Sequence, residues 1–145
     1  MTYIQIIAAA AKAAHISAVL LTAIASHESK DFELDYALYD AGSPSYSIFQ
    51  LKEPTARMLG YKGPAMELRN ANIAAKYAAQ YIRYQMDRYG DDWCMVTAAY
   101  NSGTFIESEK KPGYPKNLKY VRLVQAKLPK ELQYRLNCGK IPNNN

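Results

Sequence analysis

The stretch NIAAKYAAQYIRYQMDRY, Asn72 to Tyr89, decides the fold class. On a helical wheel Ile73, Ala74, Tyr77, Ala78, Tyr81, Ile82, Tyr84 and Met86 spread over a broad arc. Lys76, Gln80, Arg83 and Asp87 keep a narrow polar one. A helix so widely apolar is enclosed by others, and the spacing marks Tyr77, Tyr81 and Tyr84 as core residues. Gly90 stops it. Outward from this helix apolar residues recur at helical spacing almost throughout, and no segment sustains the alternation of a strand. The pattern predicts an all-α domain of about seven or eight helices.

Towards the N-terminus, helices are expected over Tyr3 to Ala14 and, after an N-cap at Ser17, through Val19, Leu20, Ala23 and Ile24 to about Ser29. Lys30 to Ser47 lacks helical periodicity and contains Gly42, Pro44 and small polar residues, so it reads as a long connection, a type of segment that often carries function. A short helix begins at Pro54 and ends at Gly60. Beyond Gly90, Asp91 or Asp92 caps a helix through Trp93, Val96 and Ala99 to Tyr100, broken by Asn101-Ser102-Gly103. Another helix runs from about Pro115 to Leu128, and a last short one stops at Gly139.

A chain of 145 residues, 49% of them hydrophobic, has room for one core, so residues 1–145 are expected to form a single domain. Its net charge of +5 is unevenly spread. Residues 1–109 carry nine basic and twelve acidic side chains, whereas residues 110–145 carry nine basic ones, Lys110 to Lys140, against Glu131 alone. Such a basic C-terminal segment suits attraction to nucleic acid, anionic lipid or an acidic cell envelope, or it is simply a solvated helix face with a polar tail. Nucleic-acid binding is set aside, since no zinc-finger spacing, helix-turn-helix signature or glycine-rich phosphate loop accompanies the charge.

His15 and His27 are not spaced with the cysteines as a metal site requires. Cys94 and Cys138 are compatible with one disulfide or two free thiols. Free thiols are favoured, because Cys94 lies in an apolar helical run where a reduced cysteine packs as a small hydrophobe. The apolar stretch Ile4 to Ile24 has no basic residues before it and is interrupted by Lys12 and His15, so neither an export signal nor a membrane span is expected there.

Glu28 is the leading candidate for chemistry. It falls at the C-terminal end of its helix, in the negative half of the helix dipole, with apolar Leu21 and Ile24 on the same face. Both features favour the protonated carboxyl that an acid catalyst needs near neutral pH.

Three further segments follow Glu28-Ser29 in order: Ser45-Tyr46-Ser47-Ile48-Phe49-Gln50, Ala98-Ala99-Tyr100-Asn101-Ser102-Gly103 and Gly113-Tyr114-Pro115-Lys116-Asn117. In order and spacing they resemble the motifs of the lysozyme-like lytic transglycosylases: Glu-Ser, a stretch ending in Gly-Leu-Met-Gln, Ala-Tyr-Asn-x-Gly, and a tyrosine that opens the closing helix. The resemblance covers roughly Ala14 to Leu128. It implies a lysozyme-like fold and cleavage of the bond between N-acetylmuramic acid and N-acetylglucosamine in peptidoglycan, with a 1,6-anhydro product and no metal or cofactor.

Carried over by position, the resemblance implies that Glu28 is the sole acid and base and that Ser29 orients its helix end. Ser47, Phe49 and Gln50 line the cleft, Tyr100 and Asn101 hold the carboxyl and the sugar, and Tyr114 faces the site. Ser47 stands in place of the motif glycine and Phe49 in place of its methionine, so a differently shaped loop is expected there.

The nearest alternative is a hydrolytic, goose-type-like lysozyme, which needs a second carboxylate from Asp31, Asp35 or, best placed, Asp40. The other aspartate of those lysozymes is matched by Lys52, which favours the transglycosylase. A non-catalytic peptidoglycan-binding protein is the alternative of another class, weakened by the retained Glu28. Small size, the lack of a standard signal and the basic segment point to a monomeric phage endolysin or virion-associated lysin. It would be released through a holin or carried by the particle, act in the periplasm or cell wall, and touch an anionic outer membrane.

Overall fold

The computed structural model describes residues 1–39 and 42–139; Lys140, the last member of the basic segment, lies outside the described residues. The fold is mostly helical, as expected, with one two-stranded sheet among the described residues. Its elements are α1 (Tyr3–Ala14), α2 (Ala18–Glu28), β1 (Tyr36–Leu38), β2 (Pro44–Tyr46), α3 (Glu53–Met58), a 3-10 helix (Ala65–Arg69), α4 (Ala71–Tyr89), α5 (Trp93–Ser102), α6 (Leu118–Gln125) and a second 3-10 helix (Lys130–Leu136). Six α-helices and two 3-10 helices among the described residues meet the expected seven or eight. No helix among them is long and apolar enough to cross a membrane. The chain divides into two compact units, Met1–Arg83 and Tyr84–Asn145, with the division inside α4.

In the first unit α1 opens with a capping box: Gln5 N donates to Thr2 Oγ1 at 3.2 Å and Thr2 N to Gln5 Oε1 at 2.9 Å. Ser17 caps α2 as expected, accepting from Leu20 N at 3.1 Å, a contact worth about 1 kcal/mol. The two helices pack together, burying Ile7, Leu20, Leu21 and Ile24 completely.

The long connection holds what the sequence pattern did not show, an antiparallel hairpin in the register Tyr36↔Tyr46, Ala37↔Ser45, Leu38↔Pro44. Tyr46 carries it onto a core of Leu51, Ala56, Tyr61 and Leu68, against which Tyr36, Ile73 and Tyr77 also pack. The Tyr36 and Tyr46 rings meet edge to face, centroids 5.6 Å apart, as do Tyr61 and Tyr77 at 5.3 Å.

Along α4 the expected core face is largely realised, with Ala74, Ala78, Tyr81, Ile82 and Met86 buried and Tyr77 half-buried. Tyr84 is the correction: it is 36% exposed, with the Arg88 guanidinium 5.3 Å from its ring centroid. It follows Gln80 by four residues, so it borders the polar arc rather than the apolar one.

In the second unit the end of α4 is latched to the end of α5. Gln85, fully buried, donates from Nε2 to Gly103 O at 3.0 Å, and Arg88 donates to Gln85 Oε1 and Gly103 O, each at 2.9 Å. Of the two candidate caps for α5 it is Asp92 that accepts from Met95 N, at 3.0 Å. Val121 and Val124 bury the inner side of α6. Arg135 of the second 3-10 helix lies 4.1 Å from the Trp93 ring centroid and 3.2 Å from Asp91 Oδ2.

This docking overturns the free-thiol expectation. With Leu136 buried and Arg135 stacked on Trp93, Cys138 arrives beside Cys94 and the two are joined by a disulfide, Cα–Cα 5.4 Å, across 44 residues. The helical burial of Cys94 is as expected, but burial does not decide pairing. Closing a loop of that length in the unfolded chain corresponds to about 4 kcal/mol. Reduction, or Cys94→Ala with Cys138→Ala, should therefore lower the midpoint of thermal unfolding by at least several degrees; an unshifted midpoint in calorimetry would deny the bond its stabilising role.

Candidate active site

Glu28 is the last residue of α2 and is partly buried. Its position is set by the next residue. Ser29 is fully buried; its N–H and its hydroxyl both donate to Ala25 O, at 3.0 and 2.6 Å. Its Oγ accepts from Phe32 N at 2.8 Å, and its carbonyl accepts from Glu33 N and Leu34 N at 3.0 and 2.9 Å. Lys30, Asp31 and Phe32 all have φ between 52° and 72°, a left-handed turn that non-glycine residues adopt at a cost of about 1–2 kcal/mol each. Ser29 thus stitches together the helix end and the reversal that follows it. Its hydroxyl is turned to the main chain, donating to Ala25 O and accepting from Phe32 N.

The second motif is a tight turn. Tyr46 and Leu51 exchange both main-chain hydrogen bonds, at 2.9 and 2.8 Å, and enclose Ser47 to Gln50. Ser47 has φ 70° and Gln50 φ 50°. Serine in place of glycine therefore does not abolish the left-handed conformation; the Ser47 hydroxyl accepts from Phe49 N at 3.1 Å and offsets part of the strain. Ser47 N donates to Asp35 O at 2.6 Å, tying the turn to the start of the hairpin. Ser47 and Phe49 are fully buried, so their side chains build the turn and do not present themselves to a polymer.

Gln50 is the member of this motif aimed at a partner. Its Nε2 donates to Ser47 O at 3.0 Å, which leaves Oε1 to accept the Tyr39 hydroxyl at 3.0 Å. Tyr39 lies just past β1 and remains half-exposed. Lys52 Nζ sits 4.8 Å from its ring centroid and donates to Ser43 Oγ at 3.1 Å. Burial of the phenol, and then the negative charge of Glu28, raise the Tyr39 pKa above its ordinary value. Glu28, Tyr39, Gln50 and Lys52 therefore form one electrostatic neighbourhood. Sequence reasoning missed Tyr39, because it sits eleven residues from Gln50 in a segment with no period to read.

Of the expected second carboxylates, Asp35 is paired with Arg69 at 2.9 Å and Asp31 accepts from Ser26 Oγ at 2.5 Å. Asp40 lies outside the described residues.

In the second unit Tyr100 is buried within α5. Asn101 is exposed, and its Oδ1 accepts from Asn117 Nδ2 at 2.9 Å while the same Nδ2 reaches Ala98 O at 3.0 Å. Asn117, just before α6, thereby fixes the exposed carboxamide. Tyr114 is half-buried, with Lys111 Nζ 4.1 Å from its ring centroid. Its ring packs so closely on Gly139 that a Cβ there would overlap it.

A partly buried carboxyl at a helix end shares one electrostatic neighbourhood with a glutamine turn in a mostly helical fold. Comparison with known proteins makes this particular. The profile described as Transglycosylase SLT domain matches residues 5–121, and the chain belongs to that family. Among solved structures, an inactive mutant of the lytic transglycosylase Slt from Pseudomonas aeruginosa is similar, with a TM-score of 0.56 and 16% identity over 90% of this chain. The chain spans about a fifth of that protein's length, 21%. No curated protein matches the sequence.

Tyr39→Phe, which keeps the ring and removes the donor, should lower kcat/KM on peptidoglycan by roughly threefold to tenfold, the range of one hydrogen bond. In a Gln50→Ala background the same change should have no further effect, and an additive loss would show that Tyr39 does not act through Gln50. Because the folded-state pKa is raised, the unfolded chain releases this proton first as the pH passes 10.0. The stability difference between wild type and Tyr39→Phe in urea unfolding should be constant below that pH and shrink above it.

Proposed function

We propose that residues 1–145 act as one monomeric catalytic domain that cuts the bond between N-acetylmuramic acid and N-acetylglucosamine in peptidoglycan without adding water. The match of a single family profile to residues 5–121, across both compact units, supports one functional domain. Glu28 protonates the glycosidic oxygen, the substrate acetamido group stabilises the cationic centre, and the Glu28 carboxylate then removes the C6 hydroxyl proton so that the 1,6-anhydro ring closes. One carboxyl that gives and takes back a proton is enough, and no metal or cofactor takes part.

The observation that carries this reading is the charge around the Tyr39–Gln50 pair. Among the described residues, Glu28 is the carboxylate whose charge acts on it, and the Lys52 ammonium lies against the Tyr39 ring. Lys52 stands where a goose-type hydrolase has an aspartate, so among the described residues the neighbourhood supplies an acid and, at that position, a cation in place of a second base. Asp31 and Asp35 are engaged by Ser26 and Arg69. Ser29, Ser47 and Phe49 serve as support for Glu28 and Gln50, and Tyr100, Asn101 and Tyr114 are assigned to substrate binding by motif position.

Glu28→Gln should reduce release of soluble muropeptides by roughly 10²–10⁴-fold, the usual contribution of a general acid. Mass spectrometry of the wild-type digest should show 1,6-anhydro ends; reducing ends would replace the transglycosylase with the Asp40-dependent lysozyme.

The finer proposal is a phage endolysin or virion-associated lysin, delivered by a holin or by the particle, whose basic segment contacts an anionic outer membrane. Exposed Lys116 and Lys119 support it, whereas Lys111 and Arg135 are already stacked on Tyr114 and Trp93. Charge reversal of Lys116 and Lys119 to Glu should weaken sedimentation with vesicles containing anionic lipid and leave neutral vesicles unbound; unchanged sedimentation would remove the membrane contact.

A further inference from the structure

A groove of about 300 Å³ in the second unit is lined by Tyr114, Leu118, Arg122, Gln125, Asn137 and Cys138, among others. Leu118, Arg122 and Gln125 recur at helical spacing along one stripe of α6, beside the stripe that buries Val121 and Val124. The opposite wall is the segment held by the Cys94–Cys138 disulfide.

Two carboxamides in this groove are locked in orientation. Gln125 Nε2 donates at 2.7 Å to the main-chain oxygen of Gln133, which can only accept. The same Nε2 donates to Asn137 Oδ1 at 2.9 Å, so Asn137 is committed to presenting its oxygen there and keeps its Nδ2 protons for another partner. Among the described residues, no side chain or carbonyl pairs with Asn137 Nδ2 or with the Arg122 guanidinium. Among the described residues, no acidic side chain lines the groove. It is therefore rich in donors, cationic and bordered by the motif tyrosine.

We propose that this groove binds a carboxylate of the peptide stems carried by peptidoglycan, with the Arg122 guanidinium as the fork and Asn137 Nδ2 as an adjoining donor. A planar carboxylate matches the guanidinium geometry in pairs of parallel hydrogen bonds. In intact strands the glycan offers hydroxyls and acetamides, its lactyl carboxyls being tied up as amides to the stems, whereas free carboxylates are brought by the peptides on alternate sugars. The groove accordingly sets preference for stem-bearing over peptide-free strands. This rests on peptidoglycan being the substrate.

The test measures kcat/KM on intact peptidoglycan and on the same glycan stripped of peptides by an amidase, its freed lactyl carboxyls then capped as amides. Arg122→Gln should lower the ratio of the two values by roughly tenfold, through KM, and Arg122→Glu should lower it further. Arg122→Lys, which keeps the charge but not the fork, should fall between wild type and Arg122→Gln. A ratio equal to that of wild type in Arg122→Gln, or equal losses on both substrates, would overturn the groove as a peptide subsite. Persistent cleavage by Glu28→Gln would instead overturn the reading of the reaction, so the two failures are separable.

Discussion

The rest of the first unit hangs on one buried hydroxyl. Ser29 Oγ donates to the last turn of α2 and accepts from the chain that leaves it. That double engagement, together with Asp31 N on Ser26 O and Leu34 N on Ser29 O, holds three successive residues, Lys30 to Phe32, at positive φ. The reversal they make sends the chain into the hairpin. Through Ser47 N on Asp35 O, the hairpin places the glutamine turn. The location of Glu28 relative to Gln50 is therefore decided by local hydrogen bonds at a helix terminus more than by the apolar core beneath it. A buried hydroxyl left half-satisfied costs about 1–3 kcal/mol, which gives this junction its rigidity.

What was legible in the sequence was whatever depends on periodicity and caps. Ser17 and Asp92 begin their helices where their side chains can reach a main-chain N–H, and the apolar face of α4 follows from its wheel. The motif order placed Glu28 and Gln50 in the same part of the site. The Tyr39 hydroxyl, under the charge of the first and bonded to the second, joins them in space.

The remainder depended on contacts that no local pattern encodes. Strands of three residues are too short to alternate visibly, so the hairpin reads as a connection. Tyr84 departs from its expected place because an aromatic ring at the edge of a polar arc can stack on an i+4 arginine as readily as enter the core. The disulfide depended on where the last 3-10 helix docks, which is a tertiary fact 44 residues away from Cys94. Ser47 illustrates the opposite case: a departure from the motif that reads as a change of shape leaves the φ angle in the left-handed region.

The disulfide also makes the second unit sensitive to where the protein is. In a reducing compartment its cysteines would remain thiols, and the chain would lack a cross-link that the same chain acquires in an oxidising one. The wall of the Arg122 groove formed by Asn137 and Cys138 belongs to the tethered segment, so the groove would be looser before oxidation than after it. The fold is encoded once, but the stiffness of this unit depends on the redox state of its surroundings as well as on its sequence.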